Sequence, residues 1–288
     1  MKEQPKQTPD EARKAFDDAV DLAKRSDVAI VVLGEIALMS GEAASRSSLK
    51  LSGGQEELLE AVVAIGKPVV LVLVNGRPLE ITWAAEHVPA ILETWYSGSQ
   101  AGNGIADILF GDANPAGHLP VSWPHNSAAL PLYYNHTLTQ APEDAPGFTS
   151  RYWDALSTPL YPFGYGLSYT TFSYENLKLS QSEAKVGATL DVTVDVANTG
   201  SRAGDTVVQL YIHQRAGSAS RPVKQLKGFQ RVTLQPASKQ TLHFKLGPEE
   251  LQFWSPSFKK WVVEPEAFDV WAGDNSQAKL HAEFRLTR

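Results

Sequence analysis

Hydrophobic positions in the first part of the chain alternate between helical spacing and short, uninterrupted apolar runs. Thr8, Pro9 and Glu11 form the pattern of a capped helix N-terminus, in which a hydroxyl cap precedes a proline and the glutamate closes a capping box. The apolar positions of this predicted helix share one face: Ala12, Phe16, Ala19 and Ala23. Residues 28–33 follow as a continuous apolar run, which is typical of a strand covered on both faces.

The same alternation of helix and strand patterns continues to about Gly111. It predicts helices over residues 55–65, 80–86 and 102–110, and strands over residues 69–74 and 90–92. Strands that alternate with helices indicate βαβ units and a mostly parallel sheet with helices on both faces. We therefore predict an α/β three-layer sandwich over residues 1–125.

Between about residues 120 and 174 the sequence becomes rich in Pro, Gly, Tyr and Trp and has no sustained period. A segment of this length without clear elements is functional or is packed as an extended wrap. Its aromatic content argues against disorder: Tyr133, Tyr134, Phe148, Tyr152, Trp153, Tyr161, Phe163, Tyr165, Tyr169 and Phe172. We assign residues 126–180 as an aromatic-rich connector.

Beyond the connector the hydrophobic period changes to two, the spacing of half-buried strands. Residues 190–196 alternate apolar and polar side chains and lead to an Asn-Thr-Gly turn. The further strand candidates are residues 206–213, 223–229, 240–246, 261–263, 267–272 and 279–286. This series predicts an all-β, immunoglobulin-like sandwich over residues 181–288, and the lack of a Cys pair favours the fibronectin type III-like form.

Composition narrows the function. The chain of 288 residues carries 26 basic and 32 acidic side chains, a formal net charge of −6. Without a dense Lys/Arg stripe we expect no nucleic acid partner, and with apolar runs this short we expect no membrane span. Neutral substrates such as sugars fit better.

Signals for cofactors and targeting are missing from the sequence. Cysteine is absent, the seven histidines have no metal-binding spacing, and residues 98–104 lack a dinucleotide fingerprint. We therefore expect no metal and no other cofactor. Residues 1–10 are polar and do not resemble a secretory signal.

The connection between the first strand and the next helix, residues 34–54, is the strongest candidate for a site. Ligands of open α/β sheets bind beyond the carboxyl ends of the strands, where connections are usually about two to six residues long. This much longer connection carries Glu35, Glu42 and Arg46 among several serines, groups suited to binding a polyol. The alternative is a surface loop whose charges are merely solvated.

A carboxyl group in this connection is a candidate general acid, a role that requires a raised pKa. Arg46 would lower the pKa of a carboxyl beside it. We therefore expect the Arg46 guanidinium to point away from the acid, either to Glu35 or to a substrate hydroxyl.

A series of motifs runs in order along the chain. The first comprises residues 33–35, the sequence Ser-Gly-Glu-Ala-Ala-Ser-Arg at residues 40–46, and residues 49–51. The others are residues 67–79, 91–95, 111–120, 161–172 and 221–229. Together these motifs resemble glycoside hydrolase family 3, most closely its bacterial periplasmic β-glucosidases, over nearly the whole chain.

The resemblance implies a retaining, exo-acting β-glycosidase, most like a β-glucosidase, acting on a β-glucoside or oligosaccharide. In that family an N-terminal (β/α)8 barrel carries the nucleophilic Asp, and a loop of the following α/β sandwich carries the acid/base Glu. Carried over by motif, the acid/base is Glu42, and the barrel is an implied partner domain or chain. Ser45 and Arg46 share the motif and either fix the loop or bind substrate. The implied location is periplasmic or secreted.

Several alternatives stay open. Glu35 is a rival acid, although its place at the strand end favours a role in orienting the loop. Trp95 is a sugar-stacking platform or a core or interface residue. The chain as a whole is alternatively a non-catalytic carbohydrate-binding or interaction module, or the same part of a β-xylosidase. Apolar surface left bare without a barrel predicts self-association, for example as a homodimer, or a stable partner.

Overall fold

The computed structural model describes residues 8–138 and 152–288, and the chain divides into two compact units. The first unit comprises Met1–Ala106 and Pro124–Leu130, and the second comprises Asp107–Trp123 and Pro131–Arg288.

The first unit is a parallel α/β fold. Its elements are α1 (Pro9–Arg25), β1 (Ala29–Gly34), α2 (Gln55–Val63), β2 (Val69–Val74), α3 (Thr82–His87) and β3 (Ala90–Glu93), and α4 (Ala101–Phe110) follows them in the chain. The strands form a parallel sheet in the order β1-β2-β3. The predicted order of helices and strands is confirmed, as is the capping box of α1, in which the Thr8 hydroxyl accepts from the Glu11 backbone N–H.

The central strand β2 explains why this sheet holds together. It is a run of Val and Leu with hydrogen-bonded neighbours on both sides, Ala29 pairing with Val69 and Val70 with Ala90. Leu71 and Leu73 are fully buried, and Leu59 on α2 is fully buried as well. Burial of this kind stabilises each large apolar side chain by roughly 1.5–3 kcal/mol.

The prediction that the first strand is covered on both faces is wrong for the described residues. Ile30 and Val32, which share one face of β1, are 48% and 61% exposed. The strand order gives the reason. Both crossovers step in the same direction across the sheet, so right-handed connections place α2 and α3 on the same face. The opposite face of β1 is left bare.

The second unit is a mostly antiparallel sandwich, in which the short pairing of Glu183–Lys185 with residues 285–287 is parallel. Its elements are β4 (Phe172–Leu179), β5 (Glu183–Lys185), β6 (Leu190–Asn198), β7 (Gly204–Gln214), β8 (Gln225–Leu234), β9 (Lys239–Leu246), α5 (Pro248–Leu251), β10 (Phe253–Ser255), β11 (Lys260–Val262), β12 (Ala267–Gly273) and β13 (Leu280–Thr287). One sheet has the order β5-β13-β12-β7-β8 and the other β4-β6-β9, and β10 pairs with β11 as a hairpin. The fibronectin type III-like fold predicted from the alternating pattern is confirmed.

The core of the sandwich is made by the period-two positions. Val192, Val194 and Val196 of β6 are fully buried, whereas Asp191, which precedes them, is exposed and Thr193 and Asp195 between them are partly exposed. Phe268 and Phe284 stack across the strand pair β12 and β13 at 4.9 Å between ring centroids. Strand β4 belongs to this sandwich, although it lies within residues 126–180, the segment assigned as connector. Its apolar and polar residues alternate too weakly for the pattern to predict a strand.

The aromatic-rich segment packs through its rings where it is described. Trp123 is buried and its backbone N–H donates to the Tyr161 carbonyl at 2.8 Å. Tyr134 stacks on Phe163 with 4.3 Å between ring centroids. Phe148 lies outside the described residues. None of the helices in the described part of the chain has the length and apolar character that crossing a membrane demands.

Candidate active site

The candidate site is the loop of residues 35–54, which connects β1 to α2. It begins with a 3-10 turn at Ala37–Met39, and its second half returns to the body of the first unit. There Leu49 and Leu51 are buried, and the Leu49 carbonyl accepts from the Glu80 backbone N–H at 2.8 Å. The loop is therefore packed at its base rather than freely solvated.

The end of β1 fixes where the loop starts. Gly34 has φ +138°, and a Cβ there would overlap the Val74 carbonyl on β2, so only glycine fits. The Gln55 side chain bonds both backbone groups of Gly34, at 2.7 Å from its N–H and 2.9 Å from its carbonyl. The Glu35 backbone N–H then donates to Val74 at 2.8 Å, so the next residue is held against the sheet.

Glu35 is a buried carboxylate held by two guanidinium groups. Its side chain is 1% exposed. Arg46 Nη1 lies 2.6 Å from Glu35 Oε1 in a hydrogen-bonded ion pair. Arg77 Nε lies 3.3 Å from Glu35 Oε2, an ion-pair distance without hydrogen-bond alignment. A buried charge needs such partners, so the charge of the Glu35 carboxylate is compensated within this Glu35 cluster of Glu35, Arg46 and Arg77.

Both arginines also bind backbone carbonyls of the loop. Arg46 Nη2 donates to the Lys50 carbonyl at 2.8 Å. Arg77 Nη2 donates to the carbonyls of Met39 and Ala44, the latter at 3.1 Å. Of the two directions expected for Arg46, the structure supports the one toward Glu35. Arg46 is therefore ion-paired within the loop.

The tip of the loop, residues 40–43, presents Glu42 to solvent. Gly41 has φ +143° and Ala43 has φ +58°, so the two neighbours of Glu42 both adopt positive φ. For a non-glycine residue this conformation costs on the order of 1 kcal/mol and is concentrated at functional sites. Ser45, just beyond the tip, is exposed.

A second buried carboxyl lies at the end of β3. Glu93 Oε1 accepts from the Trp95 backbone N–H at 2.8 Å, and the Asn75 side chain is within hydrogen-bonding range of the carboxyl. Glu93 Oε2 and Asn75 Oδ1 are both buried without a hydrogen-bond donor. Burial raises the pKa of Glu93 to about 7, and the bonds from Trp95 and Asn75 oppose that rise. A proton on Glu93 supplies the donor that the two oxygens lack.

The ends of all three strands thus contribute to one polar region. Trp95, which has φ +49°, is partly buried at the end of β3. Among residues 8–138 and 152–288, no group of three or more His, Asp or Glu side chains is arranged to hold a metal ion. The functional groups available at this site are carboxyl, guanidinium and hydroxyl groups.

The fold and the motifs together define a class of protein, the glycoside hydrolases with an α/β sandwich and a fibronectin type III-like domain. Residues 2–169 match the Glycosyl hydrolase family 3 C-terminal domain, and residues 206–276 match the Fibronectin type III-like domain. The chain therefore belongs to glycosyl hydrolase family 3.

Individual relatives are similar over most of this chain. A periplasmic β-glucosidase of Salmonella typhimurium is 44% identical over 94% of it, and a β-xylosidase of Formosa agariphila is 43% identical over 93%. The chain spans 36% of the length of each. A solved β-glucosidase from Listeria innocua in complex with glucose superposes with a TM-score of 0.91 at 36% identity, covering 98% of this chain and 39% of that one.

The structure brings some predicted residues together and adds others. Glu35 and Arg46 form one cluster, whereas Glu42 and Ser45 lie outside it on the exposed part of the loop. Arg77 was not among the predicted site residues, although it follows β2 by only a few positions, at the carboxyl edge where sites are expected. Glu93 was likewise not among them, although it ends β3 at the same carboxyl edge of the sheet.

We predict that Glu93→Gln stabilises the chain at high pH. An ordinary carboxyl loses its proton near pH 4.5, whereas folded Glu93 keeps it to about pH 7. Stability from neutral Glu93 is therefore present at low pH and lost as the pH rises through 7, a change on the order of 3 kcal/mol. A glutamine stays neutral and offers Asn75 a donor.

Urea unfolding followed by circular dichroism at pH 4.5 and pH 8 measures this effect. Glu93→Gln should match the wild type at pH 4.5 and exceed it at pH 8. Glu86→Gln, the same change at an exposed position, is the control and should show no such gain. An equal loss of stability at both pH values in Glu93→Gln would contradict the assignment.

Proposed function

We propose that this chain is the acid/base-bearing part of a retaining, exo-acting β-glucosidase that hydrolyses terminal β-D-glucosyl residues. The observation that carries the proposal is the family 3 loop motif, with Glu42 exposed at a tip whose backbone is fixed on both sides. An acid/base must meet a substrate, which favours exposed Glu42. Glu35 is buried and already paired with two arginines, which argues against it as the acid.

In this proposal Glu42 acts twice. As an acid it donates its proton to the glycosidic oxygen while a nucleophilic Asp attacks the anomeric carbon, so that the leaving alcohol departs neutral. As a base it then takes a proton from the water that cleaves the glucosyl-enzyme ester. The two carboxyls of a retaining enzyme stand roughly 5–5.5 Å apart.

The nucleophile is proposed to lie on a (β/α)8 barrel domain or chain. The parallel sheet of the first unit has three strands in the described residues, and a barrel of that type needs eight. We propose Ser45 and Arg46 as substrate contacts beside Glu42, since the Ser45 hydroxyl is exposed and Arg46 has N–H groups beyond the two that bind Glu35 and Lys50.

We propose the substrate and the cellular location from the names of the relatives. A β-glucoside or oligosaccharide is the proposed substrate because the Salmonella relative is named a β-glucosidase. A β-xyloside is the second candidate, since the Formosa relative at nearly the same identity is named a β-xylosidase. The name of the Salmonella protein supports a periplasmic or secreted location.

We predict that Glu42→Gln abolishes most hydrolysis of phenyl β-glucoside by this chain combined with a family 3 barrel. Loss of a general acid slows such a step by roughly 10²–10⁴-fold. Initial rates of phenol release measure it, with Glu57→Gln as the control at another exposed carboxyl. No turnover by the wild-type combination, or unchanged turnover in Glu42→Gln, would leave the non-catalytic module as the better account.

We also predict that the chain alone self-associates, as a homodimer or larger species. The driving force is the bare apolar face of β1, where Ile30 and Val32 are exposed. Sedimentation velocity should show a species larger than the single chain. The fraction of this species should be smaller in the double variant Ile30→Thr, Val32→Thr. Phe229→Ser, which removes an exposed aromatic residue of the second unit, is the control. A strictly monomeric wild type at high concentration would refute this prediction.

A further inference from the structure

One guanidinium group ties together the two ends of the loop tip. Arg77 Nη2 donates to the carbonyl of Met39, which precedes the tip, and to the carbonyl of Ala44, which follows it, at 3.1 Å from the latter. Arg77 itself is on the segment after β2, so these bonds reach across 38 and 33 residues of sequence. The loop cannot shift at either end of the tip without breaking one of them.

The anchor for Arg77 is the end of the neighbouring strand. Its Nε faces Glu35 Oε2 at 3.3 Å, and Glu35 is fixed to β2 through its backbone N–H. The second arginine of the Glu35 cluster, Arg46, binds the Lys50 carbonyl further along the loop. The buried carboxylate therefore holds both arginines, and they hold the loop.

Close packing behind the tip reinforces these bonds. A Cβ on Gly76 would overlap the Ser40 hydroxyl and approach the Tyr96 ring at 2.8 Å. The Tyr96 hydroxyl donates to the Ile36 carbonyl at 3.3 Å. The turn at residues 75–77 thus lies directly against the first residue of the tip, two positions before Glu42.

We propose that Arg77 is a positioning residue for Glu42. It sets where the Glu42 carboxyl stands by fixing the backbone on both sides of the tip, and Glu35 serves to hold Arg77 in place. The inference rests on the acid/base role proposed for Glu42. General acid catalysis requires a proton donor in one fixed position, and a donor on an exposed loop needs other residues to hold it there.

The geometry calls for arginine in particular. A guanidinium has five N–H donors in a rigid fork and can face a carboxylate and two carbonyls at once, whereas a lysine ammonium is a single point on a flexible stem. We therefore expect Arg77→Lys to keep part of the positioning and Arg77→Gln to lose nearly all of it.

The first test uses the 288-residue chain and needs no activity. Hydrogen exchange of the Ser40 and Ala44 amides, which bond within the loop to Ala37 and Gly41, reports the order of the tip. Arg77→Gln should accelerate their exchange by about tenfold or more, because the tip can then open locally without breaking any bond that ties it to the sheet. Arg13→Gln, which removes an exposed arginine paired with Asp17, is the matched control. Unchanged exchange in Arg77→Gln would overturn the proposal.

The second test separates positioning from mere structure through the leaving group. In the combination with a barrel, Arg77→Gln should lower kcat/KM for phenyl β-glucoside by about 10²-fold yet change 2,4-dinitrophenyl β-glucoside little, because a good leaving group needs no acid. Gly76→Ala, which keeps every charge but displaces Ser40, should give the same selective loss. Arg77→Lys should restore part of the rate with the poor leaving group.

The outcomes distinguish this inference from the proposed function. If Glu42→Gln shows the selective loss and neither Arg77→Gln nor Gly76→Ala does, Glu42 is the acid and Arg77 does not position it. Equal losses with both leaving groups in Arg77→Gln and Gly76→Ala would likewise reject positioning in favour of general destabilisation. If Glu42→Gln itself has no effect, the proposed function fails first, and the exchange result still decides whether Arg77 orders the tip.

Discussion

A single buried carboxylate organises the site of this chain. Glu35 is taken out of water at the end of β1, and its ionised form is tolerable only because Arg46 and Arg77 surround it. Breaking such a buried arrangement by removing one partner typically destabilises a protein by roughly 3–5 kcal/mol. The free energy that keeps the cluster intact also fixes the backbone of the loop, since both guanidinium groups bind loop carbonyls.

The parallel sheet supplies the geometry for this arrangement. Because the strands run in the same direction, the residues after β1, β2 and β3 emerge at one edge, and the carboxyls of Glu35 and Glu93 are both found there. Their environments differ. Glu35 has two cationic partners, whereas Glu93 is buried beside a neutral amide and its pKa is raised to about 7. Glu42, on the tip of the loop, is exposed to solvent.

Most of the fold follows from local patterns in the sequence. The capping box at Thr8, the apolar runs of the parallel strands and the period-two alternation of the sandwich each specify an element without reference to the rest of the chain. The exposure of one face of β1 could not be predicted from such a local pattern. An apolar run indicates that a strand is suited to burial on both faces, but the strand order decides which face the helices cover.

The site was predictable in part for a similar reason. The loop motif and its family resemblance pointed to Glu42, and a pairing of Arg46 with Glu35 was one of the two directions expected for that guanidinium. Arg77 is separated from the loop by a helix and a strand. Its contact with Glu35 depends on the register between β1 and β2, which no spacing in the sequence encodes.

The central claim is that Glu42 is the acid/base of a retaining β-glycosidase. It is tested most directly by the products that Glu42→Ala forms from 2,4-dinitrophenyl β-glucoside in the presence of azide, with the chain combined with a family 3 barrel. A carboxyl-deficient enzyme that still forms the glucosyl-enzyme cannot activate water but lets azide attack, so the account predicts β-glucosyl azide and a faster turnover. Absence of any glucosyl azide, with turnover unaffected by azide, would contradict it.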